Sequence, residues 1–442
     1  MSARSRAGQP PTPSQCARQG YGLHTPFSRR TLLHGLAGMG ALGALSACGS
    51  QVGPNEVSVG SRATEDVPRE ALNAVMDLYT QQSGIDVQIN ATDPNTWQEQ
   101  INSYLQGKPD DVFQWFAGYR GRFFYENGLV SGMNDVWDSV GSGFSDAFKK
   151  ASTADDGTQI FLPLYYYPWA VFYRRSVFEK NGYTPPENME DFVALCQDMQ
   201  SAGLTPIAFG ASDGWPQMGT FDYLNMRMHG YQFHMDLMAG NERWDGEEVR
   251  AVFELWADLL PYHQQSALGR TWQTAAQSLL RKESGMYVMG LFLNQQFTDP
   301  EDAEDLDFFN FPEIDSQIGA TAVEAPIDGF MMRSDPVNRG NATELLTFLG
   351  TAEAATTYVK IDAQIGANKN TDTSSYDRLQ KKSADLVTNA ENISQFMDRD
   401  TRPDFAATVM LPELSRFLAN PGNIDGITSS IQAQADSIFP QR

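Results

Sequence analysis

The closest match to a catalytic motif in this chain is Gly-Ala-Ser-Asp-Gly at residues 210–214. It fits G-x-S-x-G, in which a nucleophilic serine occupies a sharp turn between a strand and a helix. A strand predicted over 206–209 precedes it, but Trp215-Pro216 interrupts the chain where the helix should begin at once. No later histidine comes with a recognisable acid partner in the order serine, acid, histidine. The context therefore favours a loop over a catalytic Ser212, and an exported hydrolase is the weaker alternative.

Paired carboxylates would suggest acid and base catalysis on glycosidic bonds. The adjacent acids in the chain are Asp110-Asp111, Asp155-Asp156 and Glu247-Glu248. Neighbouring residues on a strand point to opposite faces, so these pairs do not make a glycosidase site. After residue 47 the sequence has no G-x-G-x-x-G motif, and the whole chain has no Walker, H-E-x-x-H or EF-hand motif. We therefore predict no enzyme activity, no cofactor and no metal site.

The charge balance limits the class of partner. Lys and Arg number 32 and Asp and Glu 55 among 442 residues, which gives a formal net charge of −23. Nucleic acid binding needs a basic face, so the composition argues against a nucleic acid partner. Hydrophobic residues make up 41% of the chain, which is enough for two or three domains with their own cores.

The first 47 residues form a targeting segment. They contain five arginines and no acid, and residues 28–33, Ser-Arg-Arg-Thr-Leu-Leu, match a twin-arginine signal. The segment ends in Leu-Ser-Ala-Cys, which resembles a bacterial lipobox. We therefore predict a twin-arginine lipoprotein signal peptide over 1–47, lipidation at Cys48, a tether over 48–56 and a protein anchored at the extracytoplasmic face of the cell membrane. A buried helix is the alternative, but four glycines disfavour it.

Strands and helices alternate along the rest of the chain. Apolar residues predict strands at 57–59, 85–89 and 111–116, separated by helices with period-3.6 stripes. This order implies a parallel sheet with loops at the carboxyl ends of its strands. The almost wholly apolar segment 160–173 predicts a strand that is buried on both sides or crosses between two lobes. The later predictions are helices at 190–200, 249–260 and 342–349, strands at 206–209, 286–289 and 326–332, and helical structure from 374 onward.

Several segments in this order resemble the extracellular solute-binding proteins of bacterial ABC importers, in particular the large carbohydrate-binding family. The matching segments are Pro109-Asp110-Asp111-Val112-Phe113, residues 173–207, Ser284-Gly285-Met286-Tyr287-Val288-Met289-Gly290, Asp328-Gly329-Phe330 and the helix at 341–350. Together they cover essentially the whole chain after the leader.

The resemblance implies an α/β, two-lobe, periplasmic-binding-protein-like fold with a hinge and a central ligand cleft. The N-terminal lobe would comprise residues 57–165 and 325–370, and the C-terminal lobe 166–324 and 371–442. The implied function is a monomeric receptor that binds a mono- or oligosaccharide and delivers it to the permease subunits of an ABC transporter. A peptide, a polyamine or another solute is the alternative cargo.

Sugars bind to aromatic faces and to carboxylate, amide or guanidinium groups that pair with their hydroxyls. Such side chains follow the predicted strands, together with a glycine that permits close backbone approach. For the aromatic residues core packing is the alternative role, and Glu65 is equally compatible with a solvated helix turn. The predicted ligand residues are Arg62, Glu65, Trp115, Arg120, Tyr165, Tyr166, Trp169, Trp215, Asp328 and Gly329.

Overall fold

A computed structural model describes residues 53–439. The predicted signal peptide, Cys48 and the first part of the tether lie outside these residues. Within 53–439, no helix is both long enough and apolar enough to cross a membrane.

Twelve strands lie in this part of the chain. They are β1 Glu56–Ser61, β2 Asp86–Ala91, β3 Val112–Phe116, β4 Leu162–Tyr166, β5 Trp169–Arg174, β6 Thr205–Ile207, β7 Ser284–Gly290, β8 Leu306–Phe309, β9 Ala322–Glu324, β10 Ile327–Met332, β11 Ile365–Gly366 and β12 Asn392–Ser394.

The α-helices lie mostly between these strands. They are α1 Asp66–Ser83, α2 Pro94–Gln106, α3 Tyr119–Glu126, α4 Asn134–Val140, α5 Asp146–Ala151, α6 Arg175–Asn181, α7 Met189–Ser201, α8 Pro216–Met238, α9 Glu247–Leu259, α10 Trp272–Leu280, α11 Pro300–Asp305, α12 Arg339–Leu349, α13 Ala352–Val359, α14 Arg378–Thr388, α15 Met397–Asp400, α16 Pro403–Phe405, α17 Leu411–Ala419 and α18 Ile424–Ile438.

The larger sheet has six strands in the order β11-β4-β10-β3-β1-β2. Strands β1, β2 and β3 are parallel, as the sequence predicts. The sheet as a whole is mixed, because β10 runs antiparallel to both β3 and β4. The start of β10 therefore lies at the same edge as the ends of β1, β3 and β4. In this register Asp328 lies opposite Phe116 on one side and Tyr165 on the other.

A four-stranded sheet in the order β6-β7-β5-β8 forms the centre of the second α/β layer, and β9 pairs with β12 in a small two-stranded sheet. Segment 160–173 does not form a single strand. It forms β4 in the six-stranded sheet and β5 in the four-stranded sheet, separated by Tyr167 and Pro168. Proline has no amide hydrogen for a strand ladder, so pairing stops there and the chain passes from one sheet to the other.

Local signals account for the ends of several helices. Helix α1 stops at Gly84, which has φ of 73° and whose amide bonds to the Thr80 carbonyl, the left-handed ending that glycine allows. Helix α2 starts at Pro94 after Asp93, whose carboxylate accepts two amides of the first turn. The prediction of helical structure from 374 onward holds for α14 to α18 but is wrong at β12, which pairs in parallel with β9.

Candidate functional site

A cavity of about 160 Å³ lies at the carboxyl edge of β1 and β3, between the six-stranded and the four-stranded sheets. Its walls come from both sides. The ends of β1, β3 and β4 and the start of β10 contribute charged and aromatic groups, whereas β5, α10 and the segment after β7 contribute mainly aromatic rings. Residues distant in sequence therefore meet at this edge because the antiparallel β10 starts where its neighbours end.

The charged centre of the cavity is the carboxylate of Asp328, which is only 3% exposed. One of its oxygens pairs with the Arg62 guanidinium. The other accepts a 2.9 Å hydrogen bond from Nη1 of Arg399, whose Nη2 donates to the Tyr167 hydroxyl at 2.9 Å. Burial alone would lower the pKa of Arg62, but the carboxylate of Asp328 and the neighbouring tyrosine hydroxyls together outweigh it and the net shift is upward. Both arginines therefore stay charged, and both are held by a single acid.

Phe116 forms a platform beneath this ion cluster. Its ring centroid lies 4.0 Å from the guanidinium carbon of Arg399 and 4.7 Å from that of Arg62. Such cation–π contacts stabilise a desolvated guanidinium. On the same side, Nη1 of Arg120 donates to Asp398 at 2.6 Å and to Gln98 at 2.9 Å. Arg120 therefore positions Asp398, which lines the cavity, while Arg120 itself does not line it.

A second polar group surrounds Asp362 at another side of the cavity. Its carboxylate accepts hydrogen bonds from the Tyr358 hydroxyl at 3.1 Å, from Nε2 of Gln364 at 2.9 Å and from Nε2 of Gln295 at 3.1 Å. Burial raises the pKa of Asp362. The Tyr358 ring stacks on Tyr165 with centroids 4.7 Å apart and planes 13° apart. Burial also raises the pKa of both tyrosines well above the usual value, so both hydroxyls are protonated.

The opposite wall is aromatic. Trp215 lies 6.0 Å from Trp169 and 6.3 Å from Trp272, and Phe292 contacts all three indoles at 5.3 to 6.2 Å between centroids. Phe396 completes the wall, 4.9 Å from Trp169. It has a φ of 113°, a conformation that is strained for a bulky residue and typical of functional sites. The cavity thus has one polar face and one aromatic face.

Six of the ten predicted ligand residues line this cavity. They are Arg62, Glu65, Tyr165, Trp169, Trp215 and Asp328. The arrangement brings them together although they are separated by up to 266 positions, as between Arg62 and Asp328.

The other four predicted residues do not line it, for reasons of strand geometry. Phe116 faces the cavity, so its neighbour Trp115 points to the opposite face, where it is fully buried against Phe124. Tyr166 likewise packs on Phe148, between two tyrosines that face the cavity. The glycine at 329 serves strand packing, since a Cβ there would lie 1.9 Å from the Leu162 carbonyl oxygen. Arg120 acts through Asp398, as described above.

Several lining residues escape the sequence-based prediction. Tyr167 could have been predicted from the sequence, because strand alternation places it on the same side as Tyr165. No pattern in the sequence identifies Arg399 and Phe396 as cavity residues, because they come from a segment that the sequence assigns to helices. The remaining residues of this kind include Trp272, Phe292, Tyr358 and Asp362.

The chain resembles proteins of one family over most of its length. The family described as bacterial extracellular solute-binding protein matches residues 63–356. The bacterial solute receptor AcbH is 40% identical, with a TM-score of 0.86 over 88% of this chain and 100% of that chain, and has an exclusive substrate preference for β-D-galactopyranose. A chitin oligosaccharide binding protein shares the fold, at 19% identity and a TM-score of 0.78 over 87% of this chain and 99% of that one.

A curated relative comes from Pyrococcus horikoshii. It is an uncharacterized ABC transporter extracellular-binding protein, 23% identical over 287 residues, which cover 63% of this chain and 62% of the relative. The chain therefore matches about three-fifths of the length of that relative.

Proposed function

Because the chain belongs to the bacterial extracellular solute-binding protein family, we propose that it is a receptor for a neutral monosaccharide, with β-D-galactopyranose as the preferred ligand. It is a binding protein of an ABC importer and not an enzyme. In the proposal, the sugar lies between the aromatic wall and the ion cluster around Asp328. It is then delivered to the permease.

The observation that carries this proposal is a set of buried polar atoms at the cavity. Nε of Arg399, Oδ1 of Asp398 and Oε1 of Gln364 have no hydrogen-bond partner within residues 53–439, and all three residues line the cavity. Such atoms cost free energy unless they are satisfied. The first two lie 3.8 Å apart, too far for a direct hydrogen bond. A sugar hydroxyl, which donates and accepts, would satisfy both at once when these two lining side chains shift to admit it.

The size and charge of the cavity indicate the kind of sugar. A volume of about 160 Å³ is below the roughly 300–1,000 Å³ of sites for drug-sized ligands, which favours a single sugar ring over a chain of rings. The charges of Arg62 and Arg399 are both paired with the carboxylate of Asp328, so the remaining Nε of Arg399 suits a neutral hydroxyl better than an anionic substituent. These features, together with 40% identity to a galactopyranose receptor, support a neutral hexose.

The leader sequence supports a membrane anchor as part of the same proposal. Twin-arginine export and lipidation of Cys48 would hold the receptor at the extracytoplasmic surface, next to its permease. Replacing Cys48 by alanine should release the protein from membranes into the medium, which fractionation of the expressing cells would measure. Retention of the Cys48→Ala protein on membranes to the wild-type extent would contradict the anchor.

Thermal unfolding with D-galactose tests the ligand directly. At a concentration of 100 times the dissociation constant, we expect an increase of about 2.7 kcal/mol in the free energy of unfolding. D-Glucose, spermidine and glycine betaine serve as comparisons, the last because aromatic walls also bind quaternary ammonium ions. No saturable shift with any sugar, or a shift with spermidine or betaine alone, would refute the monosaccharide proposal.

Replacing Trp215 by alanine should weaken galactose binding at least about tenfold, or about 1.4 kcal/mol, because it removes the ring at the centre of the aromatic wall. Trp215 is only partly buried, so the protein should still fold. Isothermal titration calorimetry would measure the loss. Phe123→Ala, another partly buried aromatic residue but one away from the cavity, is the control. Unchanged affinity in Trp215→Ala would contradict the proposed position of the sugar.

A further inference from the structure

Two side-chain hydrogen bonds cross from the six-stranded layer to the four-stranded layer beside the cavity. Nδ2 of Asn95 donates to Oδ1 of Asp213 at 3.0 Å. Nε2 of Gln273 donates to Oε1 of Glu65 at 2.9 Å. On one side, Glu65 precedes α1 and Asn95 belongs to α2. On the other side, Gln273 belongs to α10, and Asp213 accepts a backbone N–H of the same helix.

The two carboxylates lie among helix N-termini. Glu65 immediately precedes α1, Asn95 is in the first turn of α2, and Gln273 is in the first turn of α10. Helix N-termini carry partial positive charge and favour nearby carboxylates. The second oxygen of Asp213 accepts the backbone N–H of Trp272 at 2.8 Å. Asp213 is therefore fixed by its own layer and presents its other oxygen to Asn95.

The Gly-Ala-Ser-Asp-Gly segment at 210–214 has the geometry of a rigid support for this aspartate. Gly210 packs closely on the next loop, because a Cβ there would lie 2.4 Å from the Thr271 carbonyl oxygen. Gly214 has a φ of 79°, which an L side chain rarely adopts. The motif thus gains a role other than catalysis, because its two glycines hold the turn that orients Asp213.

We propose that the Asn95–Asp213 and Gln273–Glu65 pairs are two latches that hold the lobes together and set the rate of sugar release. The inference rests on the proposed function, since it assumes a ligand in this cavity. A hydrogen bond to a partly buried carboxylate stabilises the state in which it is made. Loss of one latch should therefore accelerate sugar release about tenfold. Association should not become slower, because the sugar enters while the latches are open.

A charge exchange tests the first latch. In Asn95→Asp, two carboxylates face each other and the latch becomes repulsive. In the double variant Asn95→Asp with Asp213→Asn, the new amide still accepts the Trp272 N–H through its oxygen and donates to the new carboxylate through its nitrogen. Stopped-flow tryptophan fluorescence would measure galactose release. We expect at least a tenfold faster release in the single variant and recovery to within about threefold in the double variant.

The control for the added charge is Asn73→Asp, at an exposed position of α1, which should leave the release rate unchanged. If Asn95 acted only by contacting the sugar, the added Asp213→Asn exchange would not restore the release rate of Asn95→Asp. Equal release rates in the wild-type and Asn95→Asp proteins, or no recovery in the double variant, would therefore overturn the latch.

Small-angle X-ray scattering without sugar separates the latch from the identity of the ligand. We expect a larger radius of gyration in Asn95→Asp than in the wild type, and a return to the wild-type value in the double variant. If galactose binds to none of these proteins, the proposed function fails and scattering alone decides on the latch. In that case, identical radii in all three proteins would overturn the latch as well.

Discussion

Replacing Asp328 by asparagine is expected to abolish measurable galactose binding and to lower the free energy of unfolding by about 3 kcal/mol or more. The Asp328 carboxylate is the shared partner of two buried guanidiniums, Arg62 and Arg399. Removing one member of a buried ion cluster leaves uncompensated charge, which typically costs ~3–5 kcal/mol. Asparagine presents one oxygen, so one guanidinium loses its acceptor and moves from the position in which it would meet the sugar.

The matched control is Asp66→Asn, which makes the same chemical change in an ion pair with Arg69 at the exposed start of α1. Exposed pairs contribute at most about 1 kcal/mol, so that variant should remain close to the wild type in both stability and binding. Urea denaturation and titration calorimetry would measure both quantities. Wild-type affinity in Asp328→Asn would show that the ion cluster is not part of the ligand site.

The cost to stability could not be predicted from the sequence. An acid in the apolar strand Pro-Ile-Asp-Gly-Phe at 326–330 must be satisfied by something, which predicts a ligand group at Asp328. The sequence does not identify the partners, because Arg399 lies 71 positions away in a segment without a distinctive pattern. Asp328 therefore both lines the cavity and holds two buried guanidiniums, and its substitution is expected to affect binding and folding together.

The predictable parts of the fold are those with a one-sided apolar pattern. Helix α1 has a single buried stripe of Leu72, Val75, Met76 and Tyr79, and its period reveals it in the sequence. Helix α8 is buried on nearly all sides over its first three turns, from Pro216 to Arg227. A helix of this kind has no stripe to detect, so no periodic pattern predicts it.

The site was predictable to the level of which strand ends meet, but not to the level of which side chains point inward. Neighbouring residues of a strand point to opposite faces. In the tyrosine segment 165–167 no alternation of polar and apolar residues shows which side chains face the cavity, that is, the phase of the alternation. Pairing with β10 sets that phase, since Asp328 lies opposite Tyr165. The partners that complete the site come from short helices such as α10, α13 and α15 and from adjoining loops, whose positions depend on long-range packing.

Beneath the segment that carries Phe396 and Arg399 lies a pair of acids, Asp222 of α8 and Glu324 of β9, both fully buried. Burial is the main cause that raises the pKa of both carboxyl groups, and the charge of Asp222 raises that of Glu324 further. The pair therefore holds a proton between its oxygens at neutral pH. Asp222 also accepts the Met397 amide at 2.7 Å, so this proton helps to fix the segment that lines the cavity.

The acid pair predicts a pH-dependent effect for Glu324→Gln. Between about pH 5 and 8 the folded wild type keeps a proton on the acid pair, whereas the unfolded chain, with carboxyl pKa values near 4, has released it. The free energy of unfolding of the wild type therefore falls as the pH rises. The glutamine does not titrate and its amide can donate to an ionised Asp222, so the variant loses the part of this dependence that Glu324 contributes. We expect the stability of Glu324→Gln relative to the wild type to increase by up to ~1.4 kcal/mol per pH unit in this range.

The difference between variant and wild type is the quantity to measure, because other groups also titrate in this range. Burial raises the pKa of Asp400 to about 6, which adds to the trend, whereas two buried histidines oppose it. Burial lowers the pKa of His234 and of His263 to about 3. The unfolded chain binds protons at these histidines below about pH 6.5, so both proteins lose stability equally on acidification and the effect cancels. Urea unfolding at four values of pH would give the two profiles, with the exposed Glu99→Gln as control. Parallel profiles for the wild type and Glu324→Gln would mean that Glu324 holds no additional proton in the folded protein over this range of pH.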